Sequence, residues 1–317
     1  MLYITTRENK DAFTAARAVS SDKAADGGLY VPFRLPEFTE EEVLSLKQKT
    51  YGQTVAEILN TFFSSRTTGW DVDLCIGRNP VKLISMNHRI SIAELWHNPE
   101  ETYSYIVRKL HERILLPKDS NLMPSKWVQI AVRIAVLFAT FGEMMRLEMI
   151  DGTQQVDLAV TAKDFSIPMA CWYARKMGLP IGTIICGCNN DSALWDLIRR
   201  GELNTASTLT SAQQERESLE WLIQGTLGCD EVKRYLACCQ SKRAYTLIDE
   251  SLAKLSSGLF AAVVGKNRTD MIVSSVNRTS AYTLDSDTAL SYGALQDYRA
   301  GSSESRIALL FSDRVSK

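Results

Sequence analysis

The chain has 317 residues, of which 45% are hydrophobic and 23% are charged, and its formal net charge is −1. This length suffices for one large α/β domain or for two domains that each bury a core. A near-zero charge, with Lys and Arg scattered among acidic residues, argues against nucleic-acid binding, which usually requires a basic excess or a basic stripe.

The N-terminus and the apolar segments argue against export and against a membrane partner. The first residues, MLYITTRENKDAF, carry charges where a signal peptide has an apolar core. The longest apolar run begins at Trp127 and is interrupted by Gln129 and Arg133, so it predicts a buried helix rather than a transmembrane span. We therefore expect a cytoplasmic protein.

The seven cysteines are odd in number and lie mostly in apolar segments, which is typical of reduced core thiols. A metal site could be sought at Cys186 and Cys188 together with Cys238 and Cys239. Neither pair has the Cys-x-x-Cys spacing of zinc sites, and the three histidines all lie in one early segment. The pattern therefore favours core cysteines, and we expect no metal site.

The first ninety residues alternate short elements with turns. Gly27 and Gly28 follow Asp26, a composition typical of a structural turn. Thr39 and Glu42 form a capping-box pattern that predicts the start of a helix. The other assignments are a strand at LYITT, a helix at DAFTAARAVSSDKA, a polar stretch at SSRTTGWDVD and a strand at PVKLISM.

From Val156 the alternation predicts a parallel sheet. A buried strand, a helix that ends at Gly178, a second strand and a helix that ends at Gly201 follow one another. This order is a βαβ unit of the doubly wound type. The middle of the chain, from TLTSAQQ to DESLAKL, is predicted to be helical, and the tail to consist of a helix around TALSYGALQDYRAG and a last strand, SRIALLFS.

Several motifs resemble threonine synthase, a pyridoxal-phosphate enzyme of fold type II, which is the tryptophan-synthase β-like group. DGGLYVP, starting at Asp26, matches the family's opening motif, and Trp127 takes the place of a tryptophan in a family helix. ARKMGLPI, starting at Ala174, and the segment around Leu284, Asp285, Thr288 and Ala289 also match family motifs. The resemblance implies this fold, with a lyase activity in amino-acid biosynthesis.

The segment ELWHNPEETYSYI departs from the family at its most important position. In the family, the corresponding segment carries the lysine that forms the imine with pyridoxal phosphate, and this position is Ser104 here. A serine cannot form an imine, because that bond requires an amine nitrogen. A shift of five residues would offer Lys109, but it would interrupt an otherwise gap-free match and turn the side chain to another face of a helix.

The family's glycine-rich phosphate loop is also altered. Lys163 and Ser166 stand at its two glycine positions, Asp164 at its asparagine and Phe165 at its phenylalanine. Side chains now lie where bare backbone amides approach the phosphate, and a carboxylate is added beside the anion. Pro168 removes a further N–H donor near the helix start.

Two more departures concern a subdomain and the pyridine nitrogen. Where the family carries a small α/β subdomain, this chain has a short segment without any glycine between Gly77 and Gly142. The family motif whose polar side chain meets the pyridine nitrogen is FSDRVSK here, and Ser312 keeps a hydroxyl. The resemblance therefore implies a fold-type II-like parallel sheet from which the small subdomain is deleted.

Two hypotheses follow from these departures. The first is an inactive, cofactor-free pseudoenzyme that acts as a binding or interaction protein; the alternative is a working lyase that binds pyridoxal phosphate and converts O-phosphohomoserine to threonine with an altered site. Loss of a subdomain exposes the surface it covered, so we expect a homodimer or another protein partner on that face. We expect a threonine-synthase-like N-terminal region over residues 1–90 and a reduced α/β domain over residues 91–317.

Two of the retained residues have simpler structural interpretations. His97 could act as a general base, but a packed, hydrogen-bonded histidine is more common. Asp285, with Thr288, is most simply the N-cap of the helix that follows. We find no nucleophile, base and orienting group in the sequence that would form an alternative catalytic set.

Overall fold

The structure is a computed structural model, and it describes residues 1–8, 10–77, 81–95, 103–115, 125–163, 166–189, 192–204, 213–302 and 306–313. Asp164, Phe165 and His97 lie outside these described residues, and so do residues 116–124, which precede the helix that contains Trp127.

Within the described residues, the core of the protein is a six-stranded sheet with the order β10-β7-β6-β11-β5-β4. The first five strands in this order run parallel to their neighbours, and the edge strand β4 pairs antiparallel with β5. The strands are β4 (Lys82–Asn87), β5 (Ile90–Glu94), β6 (Val156–Thr161), β7 (Ile181–Cys188), β10 (Leu259–Val263) and β11 (Ile307–Ser312).

Helices cover the sheet, so its inner strands are buried, as expected of parallel strands covered on both faces. Every residue of β6 is buried. The helices are α1 (Ala15–Ser20), α2 (Glu40–Ser45), α3 (Tyr51–Phe63), α4 (Gly69–Ile76), α5 (Tyr103–Leu110), α6 (Lys126–Arg146), α7 (Ser166–Lys176), α8 (Ala193–Arg200), α9 (Gln213–Leu227), α10 (Cys229–Ser241), α11 (Asp249–Ser256), α12 (Lys266–Ser280) and α13 (Ser286–Ala300).

Helix α6 is the long apolar segment that begins near Trp127. By length and composition it could cross a membrane, but 89% of its apolar window is buried inside the protein, where it packs against α3 and α7. The prediction of a buried helix is therefore confirmed.

Two small sheets complete the fold within the described residues. A three-stranded sheet, β2-β1-β3, occupies the N-terminal region, and β8 pairs with β9. The Tyr3 hydroxyl donates to the Phe62 carbonyl at 2.9 Å and accepts from Trp127 Nε1 at 3.1 Å, so the N-terminal sheet is joined to α3 and α6. These strands are β1 (Leu2–Thr5), β2 (Phe13–Thr14), β3 (Tyr30–Pro32), β8 (Glu202–Leu203) and β9 (Tyr245–Thr246).

The local turn and cap signals are confirmed. Asp26 Oδ1 accepts from the Gly28 amide at 2.8 Å, and Gly27 has a φ of +74°, which favours glycine. Thr39 and Glu42 form a reciprocal capping box, and Gly201 ends α8 in the left-handed conformation. Asp285 accepts from the amides of Asp287 and Thr288 and so caps α13.

Two predictions of local structure were wrong, and the start of one helix was not predicted. Phe13 and Thr14, assigned to a helix, instead pair with β1, and the helix is only Ala15–Ser20. The polar stretch at SSRTTGWDVD contains the start of α4, because Thr68 and Asp71 form a capping box there. The helical middle is interrupted by β9, which pairs with β8.

Candidate functional site

The carboxyl ends of β5, β6 and β11 meet at one edge of the central sheet, where parallel α/β sheets usually bind ligands. Ser312 is the last residue of β11. Lys163 follows β6 by two residues, and Ser166 is the first residue of α7. Ser104 is the second residue of α5. The structure thus brings Lys163, Ser166 and Ser312 to the same edge.

Ser312 takes part in a buried hydrogen-bond network. Its hydroxyl donates to Asp285 Oδ2 at 2.8 Å, and the Thr288 hydroxyl donates to the same oxygen. Asp285 Oδ1 accepts from the first amides of α13. Because Ser312 is 3% and Asp285 7% exposed, this network holds the end of β11 against the start of α13.

Glu94, at the end of β5, continues the same polar layer. The Tyr282 hydroxyl donates to Glu94 Oε1 at 2.8 Å, and the Lys82 ammonium lies 3.4 Å from Glu94 Oε2. Burial raises the pKa of the Tyr282 hydroxyl, and the hydrogen bond to Glu94 raises that pKa further. Tyr282 therefore stays protonated as a donor.

The Lys163 side chain points to α13. Its ammonium forms an ion pair with Asp287, which lies in the first turn of that helix. Lys163 is thus at one of the expected loop positions, and its charge is compensated by a neighbouring carboxylate.

Ser166 and the start of α7 are contacted by a buried arginine. Arg133 Nε donates to Ser166 Oγ at 2.9 Å, and Arg133 Nη1 lies 3.7 Å from Asp313 Oδ2. Arg133 is 8% exposed and projects from α6. The Ser166 side chain, in the first turn of α7, is therefore hydrogen-bonded to the guanidinium of Arg133.

A cavity of only about 20 Å³ lies beside this turn, and we call it the strand-end cavity. Such a volume holds one water molecule, whereas cofactor pockets measure roughly 300–1,000 Å³. Among the described residues, no lysine lines it. Burial raises the pKa of the Cys171 thiol to about 12, so this wall residue is not a nucleophile at neutral pH. Its walls include Leu95, Arg133, Leu137, Ile167, Cys171 and Phe311.

Comparisons with known proteins agree on one family. A family model described as the threonine synthase N terminus matches residues 2–78. The threonine synthase of Pseudomonas aeruginosa is 27% identical over 123 residues, which are 36% of this chain and 26% of that protein. The chain is thus similar in sequence to threonine synthases.

Solved structures support the same assignment at the level of the fold. The chain superimposes on the pyridoxal-phosphate-bound threonine synthase of Brucella melitensis with a TM-score of 0.80 and 16% identity, covering 99% of this chain and 89% of that one. For yeast threonine synthase, the TM-score is 0.81 and the identity 13%, with coverage of 99% and 87%. The predicted fold class, a mostly parallel α/β sheet with flanking helices, is confirmed. The curated sequence match spans only about a quarter of its relative's length.

The described residues of this threonine synthase-like protein do not fit pyridoxal phosphate. The strand-end cavity is an order of magnitude smaller than a typical cofactor pocket. The three polar side chains that replace family positions are engaged with protein groups: Lys163 with Asp287, Ser166 with Arg133 and Ser312 with Asp285. A cofactor phosphate at α7 would have to displace or share these contacts.

The sequence analysis missed several residues that shape this edge. Arg133 was noted only as an interruption of an apolar run, although a lone arginine in a buried helix signals a polar partner. Asp287, Tyr282 and Asp313 carried no comparable signal, because their contacts with Lys163, Glu94 and Arg133 join distant parts of the chain.

Proposed function

We propose that this threonine synthase-like protein is a pseudoenzyme that forms no imine with pyridoxal phosphate and acts as a binding or interaction protein. The observation that carries the proposal is the strand-end cavity, about 20 Å³ in volume and without a lysine among its described lining residues. Ser104 at the imine-forming position supports the same conclusion from the sequence.

The chemistry of the family explains why these two features matter together. Pyridoxal phosphate acts as an electron sink only after it forms an imine with the substrate amine, and the protein must supply its orientation. A serine offers no amine for the resting imine. The Lys163 ammonium is held by Asp287, and the Arg133 guanidinium contacts Ser166 and Asp313. We infer that the groups at this edge stabilise the scaffold instead of a cofactor.

The proposal includes a protein partner, either a second copy of the chain or another protein. Helix α4 supports it, because Trp70 and Leu74 are 58% and 49% exposed and lie one turn apart on the same face. Helix α4 packs against α5, the last helix before the position where the family inserts its small subdomain. This apolar pair, called the α4 patch, is the surface we expect a partner to cover.

The cofactor part of the proposal is tested on the purified protein. We expect no absorbance band of a pyridoxal-phosphate imine, and no such band after addition of the cofactor and dialysis. Borohydride reduction followed by peptide mass spectrometry would locate any lysine that had formed an imine. We also expect no threonine from O-phosphohomoserine. A stoichiometric reduced adduct together with threonine formation would establish the lyase alternative instead.

The partner part is tested by the mass of the particle in solution. If a second copy covers the α4 patch, light scattering should report a dimer that the double variant Trp70→Ser, Leu74→Ser converts to a monomer. Leu147→Ser is the matched control, because Leu147 is 48% exposed at the end of α6. A dimer that survives the double variant, or one that Leu147→Ser disrupts equally, would place the interface elsewhere.

A further inference from the structure

A second cavity, far larger than the strand-end cavity, lies between the N-terminal region and the helices α9 and α10. Its volume is about 500 Å³, within the range of small-molecule sites. Arg7 and Lys23 line it from the N-terminal region, and Gln240, which is exposed, stands among the lining residues on α10. We call it the α9–α10 cavity.

Both carboxylates in this cavity already have cationic partners. Glu220 accepts from Arg7 Nε and Nη2, each at 3.0 Å, and from the Thr6 hydroxyl. Glu217 Oε1 lies 2.7 Å from the Lys23 ammonium, and its other oxygen is paired with Lys126. Glu217 is 5% and Glu220 3% exposed, and each is already paired with a cation of the protein. These two carboxylates therefore form part of the cavity wall and do not favour a cationic ligand.

Two other groups in the cavity have no such partner. The Tyr235 side chain is 1% exposed, and its hydroxyl lacks a hydrogen-bond partner among the described residues. Its polar neighbour is the Cys239 thiol, which is a poor acceptor. Arg216 lines the same cavity and makes no ion pair within the described part of the chain. A buried donor without an acceptor lowers the stability of the folded protein, so a ligand group that accepts a hydrogen bond from Tyr235 would be favoured here.

Ring packing fixes the position of the Tyr235 hydroxyl. The Tyr235 ring packs edge-on against Tyr245, with ring centroids 5.3 Å apart, so its hydroxyl is held in place. Burial raises the pKa of the Tyr235 hydroxyl and of the Cys239 thiol, and the charge of Arg216 opposes both shifts. Both groups therefore stay neutral near pH 7, with Tyr235 as a donor.

The charges select the class of ligand. The lining has three cationic side chains, Arg7, Lys23 and Arg216, and two carboxylates, Glu217 and Glu220. Lys126 also pairs with Glu217, so the wall carries an excess of positive charge. An anion is therefore favoured over a cation, and Leu236 in the lining favours an organic anion over inorganic phosphate. A guanidinium binds a carboxylate through two parallel hydrogen bonds.

We propose that the α9–α10 cavity binds a small organic monocarboxylate, with its carboxylate on Arg216 and the Tyr235 hydroxyl and its apolar part against Leu236 and Cys239. This site is separate from the edge of the central sheet. It stands whether or not the protein binds pyridoxal phosphate.

The test uses the full chain and three probes of matched size. Butyrate, butylamine and inorganic phosphate are titrated while binding is followed by ligand-observed NMR and by calorimetry. We expect saturable binding of butyrate, with weaker binding of phosphate and none of butylamine. Equal or tighter binding of phosphate or butylamine, or no saturable butyrate signal at millimolar concentrations, would overturn the proposal.

Variants locate the site. Arg216→Gln should weaken butyrate binding about tenfold or more, since it removes a charge-assisted pair. Tyr235→Phe keeps the ring packed on Tyr245 and should weaken butyrate binding about threefold or more. Lys233→Gln is the control, because Lys233 is an exposed cation of α10 that pairs with Asp230. Unchanged affinity in Arg216→Gln, or an equal loss in Lys233→Gln, would rule out this binding site.

Tyr235→Phe also separates binding from folding. The change removes a buried hydroxyl that lacks a partner in the free protein, so the free variant should be as stable as the parent chain. A purely structural role of the hydroxyl would instead lower stability and leave the affinity of the folded fraction unchanged. That result would contradict the proposal even if Arg216→Gln failed to fold.

Discussion

Ser312 Oγ donates a hydrogen bond of 2.8 Å to Asp285 Oδ2, and this bond joins the last strand of the central sheet to the N-terminus of α13. The residue that the family resemblance assigns to the cofactor's pyridine ring thus contacts a helix cap in this chain. One carboxylate serves two amides and two hydroxyls, all in a buried layer.

We predict that Asp285→Ala destabilises the protein by about 2 kcal/mol, because it removes a helix cap and leaves several hydrogen-bond donors without their acceptor. Ser312→Ala should destabilise it by about 1 kcal/mol, because it removes one of these donors. Urea unfolding monitored by circular dichroism measures both. Asp270→Ala, in the exposed face of α12, is the control and should stay within about 0.5 kcal/mol of the parent chain. Equal effects at Asp285 and Asp270 would show that the cap contributes nothing.

Ser104→Lys restores an amine at the imine-forming position, yet we predict neither threonine formation nor tight binding of pyridoxal phosphate. Catalytic geometry degrades steeply with a misplacement of about 1 Å, and the start of α7 keeps Lys163 and Ser166 where the family has glycines. The measurement is threonine formation from O-phosphohomoserine. Turnover above that of the parent chain would identify a recently silenced enzyme and remove the main support for the binding-protein proposal.

Tyr3→Phe should cost about 1–2 kcal/mol of unfolding free energy, since the buried hydroxyl bridges the Phe62 carbonyl and Trp127 Nε1. Tyr30→Phe is the matched control. The Tyr30 hydroxyl accepts a longer bond, 3.3 Å, from the Arg17 guanidinium, so its loss should matter less. Denaturant midpoints compare the two variants, and a larger effect at Tyr30 would contradict the role given to the Tyr3 bridge.

Stability should fall on acidification, in part through His111. Burial lowers the pKa of this imidazole below its ordinary value of 6.5, and the charge of Glu112 opposes that shift. Below about pH 6.5 the unfolded chain therefore binds more protons than the folded chain, and stability declines until the folded pKa is reached. Denaturant midpoints between about pH 5 and 7.5 should decline less in His111→Gln than in the parent chain.

His88→Gln is the control for this pH series, because the His88 side chain is exposed on the turn between β4 and β5. Its midpoints should follow the parent curve. If His111→Gln kept the full acid dependence while remaining folded, the buried imidazole would not be its source.

Local sequence signals determined much of the secondary structure. The capping box at Thr39 and Glu42, the turn at Asp26 and Gly27 and the cap at Asp285 each involve residues within three positions of one another. Such contacts form with little dependence on the rest of the chain, so their patterns are readable in advance. The buried strands β6 and β7 were equally clear from their apolar composition.

The sequence by itself also indicated the resemblance to threonine synthase and the serine at the position that corresponds to the family's imine-forming lysine, because residue identities can be compared without coordinates. Only the tertiary structure decided that Phe13 and Thr14 pair with β1, that Lys163 meets Asp287, and that Arg133 reaches Ser166. These contacts join residues far apart in the chain or depend on competition between a helix and a strand. Their energies arise from burial and pairing in the folded state, which no local pattern encodes.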